Sequence, residues 1–199
     1  LEPHSRWRQL ENYLRQIDCA DISVSGRQSV YSDVDFLMLG MMLEQQFCSP
    51  LLSIWEKYKK SLGLVRNTLH FNPGNQPRYP RESYAPTEKC SWRKKILQGE
   101  VHDENTWALG GVAPHSGLFG SLNDVSQWGL LLRRSWLGKK DSVLVDQKTL
   151  HKFVRRSLPR SQGDWGYGFM LPTPHKASCG SYFSLTSFGH TGFTGTSLW

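Results

Sequence analysis

Tyr31 is the first residue of the chain whose type and position suit proton transfer. It stands in the Tyr-Ser-Asp stretch at 31–33, directly before a long apolar run. The apolar run predicts a buried helix, and the positive end of a helix dipole favours phenolate over phenol. A phenolate held there can act as a general base. Taken alone, Tyr31 is interpreted as a packing aromatic, and the general base is the alternative.

A second stretch of interest, His190, Thr191 and Gly192, lies within FGHTGFTGTSLW at 188–199. Small and hydroxyl-bearing residues surround the histidine, which is typical of a strand that leaves part of one face bare. The edge of such a strand can hold an extended substrate by β-augmentation. The imidazole and hydroxyl groups would then orient the substrate. The alternative interpretation is an ordinary surface histidine.

Potential metal ligands occur at 101–105, Val-His-Asp-Glu-Asn, and His115 could add another. Adjacent residues point in different directions, so they rarely share one ion. The four cysteines, Cys19, Cys48, Cys90 and Cys179, also lack zinc-ligand spacing. We therefore predict no metal and no cofactor, and we assign the polar groups at 101–105 to hydrogen bonds that fix the following glycine-rich turn.

Ser91 and Lys94 form a Ser-x-x-Lys pair, a spacing that can join a nucleophile to its base. The pair needs the start of a helix, where both side chains project from one face. Here it falls in a proline-rich segment with no apolar stripe after it. We interpret this match as a coincidence.

The elements that would position these residues change in character near residue 158. Before it the apolar spacing predicts helices; the run at 34–47 is apolar on nearly all faces, which predicts a buried helix. After it, short aromatic segments punctuated by glycine predict three antiparallel strands, at 165–171, 181–188 and 193–199. The sequence therefore predicts an α+β protein, mainly helical over 1–158 and strand-forming over 159–199.

Composition and charge narrow the function classes. The chain is 38% hydrophobic and 12% aromatic, enough to bury a core, and has no apolar run of transmembrane length. Its net charge of +7 equals the excess over 133–160, where nine Lys/Arg face two Asp. This segment is either a solvated helical face or a surface for an acidic partner. No nucleic-acid motif accompanies it, so nucleic acid is not expected.

Three ordered blocks together resemble the serine β-lactamase and penicillin-binding superfamily, on the branch of class C β-lactamases and D-alanyl-D-alanine peptidases. The blocks are SVYSDVDFLMLG, GEVHDENTWALGGVAPHSGLFGSLNDVSQWG and FGHTGFTGTSLW. Their order and separation match the family across nearly the whole chain. The resemblance implies a single β-lactamase-like α+β domain, with Tyr-Ser-Asp in its helical lobe (1–158) and His-Thr-Gly in its sheet lobe (159–199).

The resemblance also implies roles for individual residues. Tyr31 matches the general base or proton relay of the family's Tyr-x-Asn motif, with Asp33 where asparagine is usual. His190, Thr191 and Gly192 match the strand that lines the acyl site, facing the carboxylate or carbonyl end of the substrate. The implied reaction is acyl transfer through an acyl-enzyme. Its candidate substrates are peptidoglycan D-Ala-D-Ala peptides, β-lactams and small esters, in a bacterial periplasm or cell envelope.

Two departures from the family pattern define the alternatives. The family's nucleophilic Ser-x-x-Lys is expected upstream of Tyr31, and further sheet and helix after Trp199, so we expect an internal fragment, incomplete at both ends, that does not turn over alone. Asp33 cannot donate the hydrogen bond that an asparagine amide gives; if ionised, it could orient a cation. The alternative function is a non-catalytic binder of cell-wall peptide or another anionic polymer, through the basic segment and the His-Thr-Gly strand.

Overall fold

The computed structural model describes residues 3–16, 29, 31–64, 66, 68–141, 143–173 and 178–199. Cys19 lies outside these residues. The chain forms two compact units: the described residues of Leu1–Asp18 and Ser32–Ser121, and those of Cys19–Tyr31 and Leu122–Trp199. The division between a helical and a strand-forming part near residue 158 stays a prediction beside them.

The described residues of the first unit form the helices α1 (Pro3–Gln16), α2 (Asp33–Phe47), α3 (Leu51–Ser61) and the short α4 (Glu104–Ala108). Two single 3₁₀ turns, Pro73–Asn75 and Arg81–Ser83, interrupt the loop after α3. The apolar spacing at 6–17 predicts a helix, and α1 covers the described part of that range. An ion pair of 2.7 Å between Glu11 and Arg15, one helical turn apart, adds to its exposed face.

Helix α2 begins and ends through specific side-chain and backbone contacts. Ser32 has an extended backbone and its hydroxyl accepts a hydrogen bond from the Val34 amide (3.2 Å), as an N-cap serine does. At the other end Cys48 adopts a left-handed conformation, with φ 46°. The carboxylate of Glu44 then accepts a hydrogen bond from the Leu51 amide (2.6 Å). One side chain of α2 thereby accepts the hydrogen bond of the first backbone amide of α3.

The prediction that α2 is buried on nearly all sides is wrong for the described structure. Leu37 and Gly40 are buried, and Gly40 packs against the ring of Pro114. Five other apolar side chains of the helix are exposed by between 41% and 62%: Met38, Leu39, Met42, Leu43 and Phe47. The reason is geometric: the first unit packs against only the side of α2 that carries Leu37 and Gly40.

A small hairpin lies inside the segment that the sequence left without periodicity. Strands β1 (Glu88–Cys90) and β2 (Lys95–Leu97) pair antiparallel, with Glu88 opposite Leu97 and Cys90 opposite Lys95. The hairpin joins the core because Cys90 and Leu97 are 2% and 0% exposed. The other buried apolar residues of this unit are Leu37, Leu51, Leu62, Leu64, Leu69, Val101 and Ala113.

Where the structure describes the second unit, it consists of helices and a second small sheet. Helix α5 spans Leu122–Trp136 and α6 spans Gln147–Phe153. The Asp146 carboxylate caps α6 by accepting hydrogen bonds from the Thr149 amide (2.9 Å) and hydroxyl (2.6 Å). Those two bonds lower the pKa of Asp146, the side-chain bond most.

Strands β3 (His190–Thr191) and β4 (Ser197–Leu198) pair antiparallel, and single bridges join Met170 to Trp165 and to Gly189. The segments at 165–171 and 193–199 thus contribute extended positions to this sheet. The predicted strand at 181–188 is wrong, since these residues form bends and turns. The Ser184 carbonyl accepts from the Ser187 amide, and the Ser184 and Thr186 hydroxyls bond to each other. Such local polar bonds favour a turn over a strand.

None of the helices in the described ranges is both long enough and apolar enough to cross a membrane.

Candidate functional site

Tyr31 lies in the second unit, beside the segment that follows α6. The amide of Ser29 donates a hydrogen bond to the Gln162 carbonyl (3.1 Å), and Gly163 approaches Ser29 so closely that a Cβ there would lie 2.7 Å from the serine Cβ. Directly beyond, the Tyr31 ring lies 5.7 Å from the Trp165 ring, measured between centroids. The tyrosine remains 69% exposed. Its ring therefore lies beside an aromatic neighbour while most of the side chain is exposed.

His190 on β3 completes a group of three rings. Its ring centroid is 5.4 Å from that of Trp165 and 6.2 Å from that of Tyr31. His190 Nδ1 lies 2.5 Å from the Thr191 carbonyl oxygen, which can only accept, so Nδ1 carries a proton. This contact leaves Nε2 as the ring nitrogen that does not face the Thr191 carbonyl. The tyrosine and histidine that the sequence singles out thus lie close together in one unit.

Thr191 and Gly192 occupy the end of β3, where β4 comes close. The Thr191 hydroxyl lies 3.7 Å from the Met170 sulfur, a weak acceptor. The Gly192 amide donates to the Thr196 carbonyl at 2.6 Å. A Cβ on Gly192 would collide with the Thr196 hydroxyl oxygen, and one on Gly189 with the Leu198 carbonyl. The pairing with β4 is therefore a structural reason for glycine in this stretch, in addition to the substrate access that the sequence suggests.

Asp33 lies in the first unit, in the first turn of α2. Its Oδ2 accepts a hydrogen bond from the Asn105 side-chain amide (3.1 Å) and lies 3.8 Å from His115 Nε2. The aspartate is thus held by the stretch at 101–105 and by the glycine-rich turn that follows it. Asn105 and His115 are contacts that the Tyr-Ser-Asp stretch alone gives no signal of.

Asp103, Thr106 and His115 form the core of this polar network. Asp103 Oδ1 accepts from the Thr106 amide (2.7 Å), which caps α4, and lies 3.1 Å from His115 Nε2. The Thr106 hydroxyl bonds to Ser116 at 2.7 Å. Burial alone would raise the pKa of Asp103, but the hydrogen bonds from His115 and Thr106 outweigh it and lower the pKa to about 2. Asp103 is therefore an anion that fixes the turn, as the sequence predicts for this stretch.

Asp33, Asp103 and His115 are also the residues that could hold a metal ion. They offer one ligand atom each, all within 4.8 Å of one another. The same oxygens and nitrogen already serve the hydrogen bonds to Asn105 and Thr106. We therefore assign the cluster to hydrogen bonding that orients Asp33.

Ser91 and Lys94 form the turn that joins β1 to β2, so the structure confirms that this Ser-x-x-Lys match is not at the start of a helix. Both residues are exposed, and Lys94 has a left-handed backbone with φ 54°. The two side chains therefore lack the one-face arrangement that joins a nucleophile to its base.

Trp165 is the member of the ring group that sequence reasoning missed. It opens a tight turn in which the Gly166 amide donates to the Phe169 carbonyl (2.9 Å) and Gly168 has φ 79°. The signal was present as a tryptophan directly before Gly-x-Gly, a pattern that we used only to predict a strand. Because the chain turns after Trp165 instead of continuing as a strand, the indole lies beside Tyr31 and His190.

Comparison with known proteins tests the family resemblance. The family model described as Beta-lactamase matches residues 4–199. A Salmonella agona protein named "Putative D-alanyl-D-alanine carboxypeptidase" is 31% identical over 183 residues, which cover 86% of this chain and 42% of that protein. Proteins of the same name from Salmonella newport and Salmonella choleraesuis match with the same identity and coverage. No solved structure gives a significant match.

The chain thus spans about two fifths of the length of the curated relatives it matches. Its helices and small antiparallel sheets are those of an α+β protein. The family match runs through all three blocks that carry the resemblance, including Tyr31, Asp33 and the His-Thr-Gly stretch. This chain belongs to the Beta-lactamase family of the serine β-lactamase and penicillin-binding superfamily.

Proposed function

We propose that this chain supplies proton-transfer and substrate-orienting residues to a serine hydrolase that works by acyl transfer. The observation that carries the proposal is the 6.2 Å separation of the Tyr31 and His190 rings, with Trp165 against both. It joins a potential base to a potential anion-binding group in one unit. D-Ala-D-Ala peptides and β-lactams offer both an acyl carbonyl and a nearby carboxylate.

Tyr31 acts as the base or proton relay in this mechanism. The hydroxyl oxygen of the nucleophilic serine attacks the acyl carbon, and the Tyr31 phenolate takes the hydroxyl proton. The same phenol then gives that proton to the departing amine or alcohol, so the tyrosine returns to its starting state. Its 69% exposure leaves it accessible to the reacting groups.

His190 and Thr191 orient the substrate. With Nδ1 committed to the Thr191 carbonyl, His190 presents Nε2, which as part of an imidazolium attracts a substrate carboxylate. The Thr191 hydroxyl has only the Met170 sulfur as a weak partner in the bonds we observe, so a substrate oxygen is a better one. Gly192 keeps the chain close to β4 and so fixes the end of β3.

Asp33 has a different role from the asparagine that the family usually places there. A carboxylate accepts hydrogen bonds but donates none, so Asp33 orients a cationic group, such as the family's catalytic lysine, rather than a substrate carbonyl. Asn105 holds one of its oxygens for this purpose. Peptidoglycan D-Ala-D-Ala peptides, β-lactams and small esters are the substrate classes we propose; the curated relatives' name points to the first.

The test is a pair of tyrosine variants in the whole protein. Tyr31→Phe should lower kcat/KM by about 10²-fold or more, the usual range for loss of a general acid or base. Tyr182→Phe is the matched control, because Tyr182 is fully exposed in the same unit. Hydrolysis of nitrocefin, a p-nitrophenyl ester and a D-Ala-D-Ala peptide gives the three rates. Equal rates for Tyr31→Phe and the control, with both proteins folded, would reject the assignment.

A second candidate is an anionic polymer of the cell envelope, bound by the basic segment at 133–160. All of its nine Lys/Arg except Arg156 are exposed, and ion pairs are seen at Arg134 with Asp141 and Arg156 with Asp164. Reversing the charge at Lys139 and Lys140 should lower the fraction of protein that co-sediments with purified peptidoglycan. The same reversal at Lys57 and Lys60, exposed on α3, should not. Equal loss in both would indicate a general charge effect.

A further inference from the structure

A cavity of about 610 Å³ opens in the first unit, among residues that the acyl-transfer proposal does not use. It lies where the loop after α3 meets the β1–β2 hairpin and α4. The side chains that matter for its chemistry are Asn75, Tyr79, Arg81, Lys95, Glu100 and Trp107. Cavities of this size commonly hold small molecules.

A buried carboxylate fixes the position of one cation in this cavity. Glu100 is 6% exposed, and its Oε2 accepts a hydrogen bond from Lys95 Nζ at 2.8 Å. Its Oε1 lies 3.9 Å from an Nη atom of Arg93. The Arg93 guanidinium is in turn held by the carbonyls of Val101 (2.7 Å) and His102 (2.9 Å). The Lys95 ammonium is therefore pinned in place rather than free to sample many rotamers.

The charges around the cavity favour an anion. Lys95 and Arg93 together carry one more charge than is needed to neutralise Glu100. Arg81 adds a third positive group to the lining. Glu100 takes one of the three Lys95 N–H groups, which leaves two for a ligand. Arg81 uses only its Nε, in a long bond of 3.4 Å to the Gln98 carbonyl. Its terminal Nη groups match the geometry of a carboxylate.

Two aromatic side chains, Trp107 and Tyr79, line the cavity and are held by their neighbours. The Trp107 ring is fixed edge-on against Trp92 at 5.1 Å, with the Arg93 guanidinium 5.2 Å from its centre. Tyr79 packs edge-on against the buried His70 at 5.2 Å. Two rigid aromatic surfaces favour a ligand with a planar or cyclic body.

We propose that this cavity binds a small organic carboxylate with a ring, with the carboxylate on Lys95 and Arg81 and the ring against Trp107 and Tyr79. The site is distinct in its residues from the acyl-transfer proposal and does not depend on it. Glu100 is a positioning residue here, because it acts through Lys95.

Titration of the folded chain by two-dimensional ¹H–¹⁵N NMR tests the proposal directly. Benzoate should shift the Trp107 indole and Asn75 side-chain amide signals saturably. Benzamide, the neutral analogue of the same shape, should bind at least tenfold more weakly, and so should inorganic phosphate, which has charge but no ring. Equal affinity for benzoate and benzamide, or for benzoate and phosphate, would overturn the proposal, as would shifts that do not saturate.

Variants locate the contact. Arg81→Gln, on an exposed residue, should weaken benzoate binding about fivefold or more and leave the fold unchanged. Lys95→Gln should also weaken benzoate binding, but it removes the partner of the buried Glu100 and should lower stability as well. Lys89→Gln is the matched control, since Lys89 is exposed on the neighbouring strand β1 and does not line the cavity. If Lys89→Gln weakens benzoate as much as Arg81→Gln does, the interaction is a general charge effect and the site is wrong.

Discussion

The imidazole of His190 and the phenol of Tyr31 lie 6.2 Å apart between ring centres, although most of the chain separates them in sequence. Both also contact the same indole, that of Trp165. An arrangement with a shared neighbour couples the positions of the two rings, because movement of the indole displaces both. This relationship leads to the first prediction.

Trp165→Ala should lower kcat/KM of the whole protein about tenfold or more, because misplacing reacting groups by a fraction of their spacing is costly. Trp165→Phe should retain most of the activity, since a ring still separates and supports Tyr31 and His190. Phe183→Ala, a half-exposed ring in the same unit, serves as the control. Steady-state kinetics on nitrocefin, with circular dichroism to confirm folding, decides. Full activity in Trp165→Ala would show that the indole does not position the pair.

Ser91→Ala should leave hydrolysis by the whole protein unchanged within about twofold. Ser91 and Lys94 lie in an exposed hairpin turn, without the helical geometry that activates a serine. The chain by itself should also give no hydrolysis of nitrocefin or of a p-nitrophenyl ester above background. A burst of acylation that disappears in Ser91→Ala would contradict both expectations and make Ser91 the nucleophile.

Gly40→Ala should destabilise the protein by up to about 2 kcal/mol. Alanine gains about 1 kcal/mol in helix propensity, but its Cβ would lie 2.6 Å from the Pro114 Cγ, and overpacking costs about 1 to 3 kcal/mol. Gly129→Ala in α5 is the comparison: its Cβ would lie 3.1 Å from the end of the flexible Leu198 side chain. We expect it to be neutral or stabilising in chemical denaturation. The same sign for both variants would refute the packing argument.

The low pKa of Asp103 makes stability depend on acid. The pKa is about 2 in the folded protein and 3.8 ordinarily, so the unfolded chain binds the proton first as the pH falls. The stabilisation, about 2 kcal/mol, is fully present above about pH 4 and is lost as the pH approaches about 2. Asp103→Asn keeps a capping side chain but removes the charge, so its stability should change less over this range. Parallel pH profiles of urea denaturation for both proteins would contradict the prediction.

Local chemistry explains which parts of the fold could be predicted. Helix starts could be predicted where a short polar side chain accepts a hydrogen bond from an amide in the first turn of the helix, as at Ser32 and Asp146. The bends and turns at 181–188 were wrongly predicted as a strand, because the serine and threonine hydroxyls there bond locally and favour a turn. The exposed side of α2 was not readable either: periodicity reports which residues are apolar, whereas burial depends on what packs against them.

The site divides in the same way. Tyr31 and His190 could be singled out because their residue types suit proton transfer and anion binding. The motifs that contain them also occur in the same order as in the family. Trp165 and Asn105 could not, since a tryptophan before a glycine turn and an asparagine in a helix have many other uses. Their importance comes from distances set by tertiary folding, 5.4 Å to His190 for one and 3.1 Å to Asp33 for the other.

The exposed apolar side of α2 gives this protein built-in chemical reporters. Met38 and Met42 are 51% and 62% exposed, and thioethers at a surface are oxidised to sulfoxides by dilute hydrogen peroxide. Mass spectrometry of oxidised peptides would therefore measure, residue by residue, how much of this helix is shielded in the whole protein compared with the chain. A protected Met38 and Met42 would identify α2 as an internal contact surface, whereas rapid oxidation would mark it as a surface left to solvent.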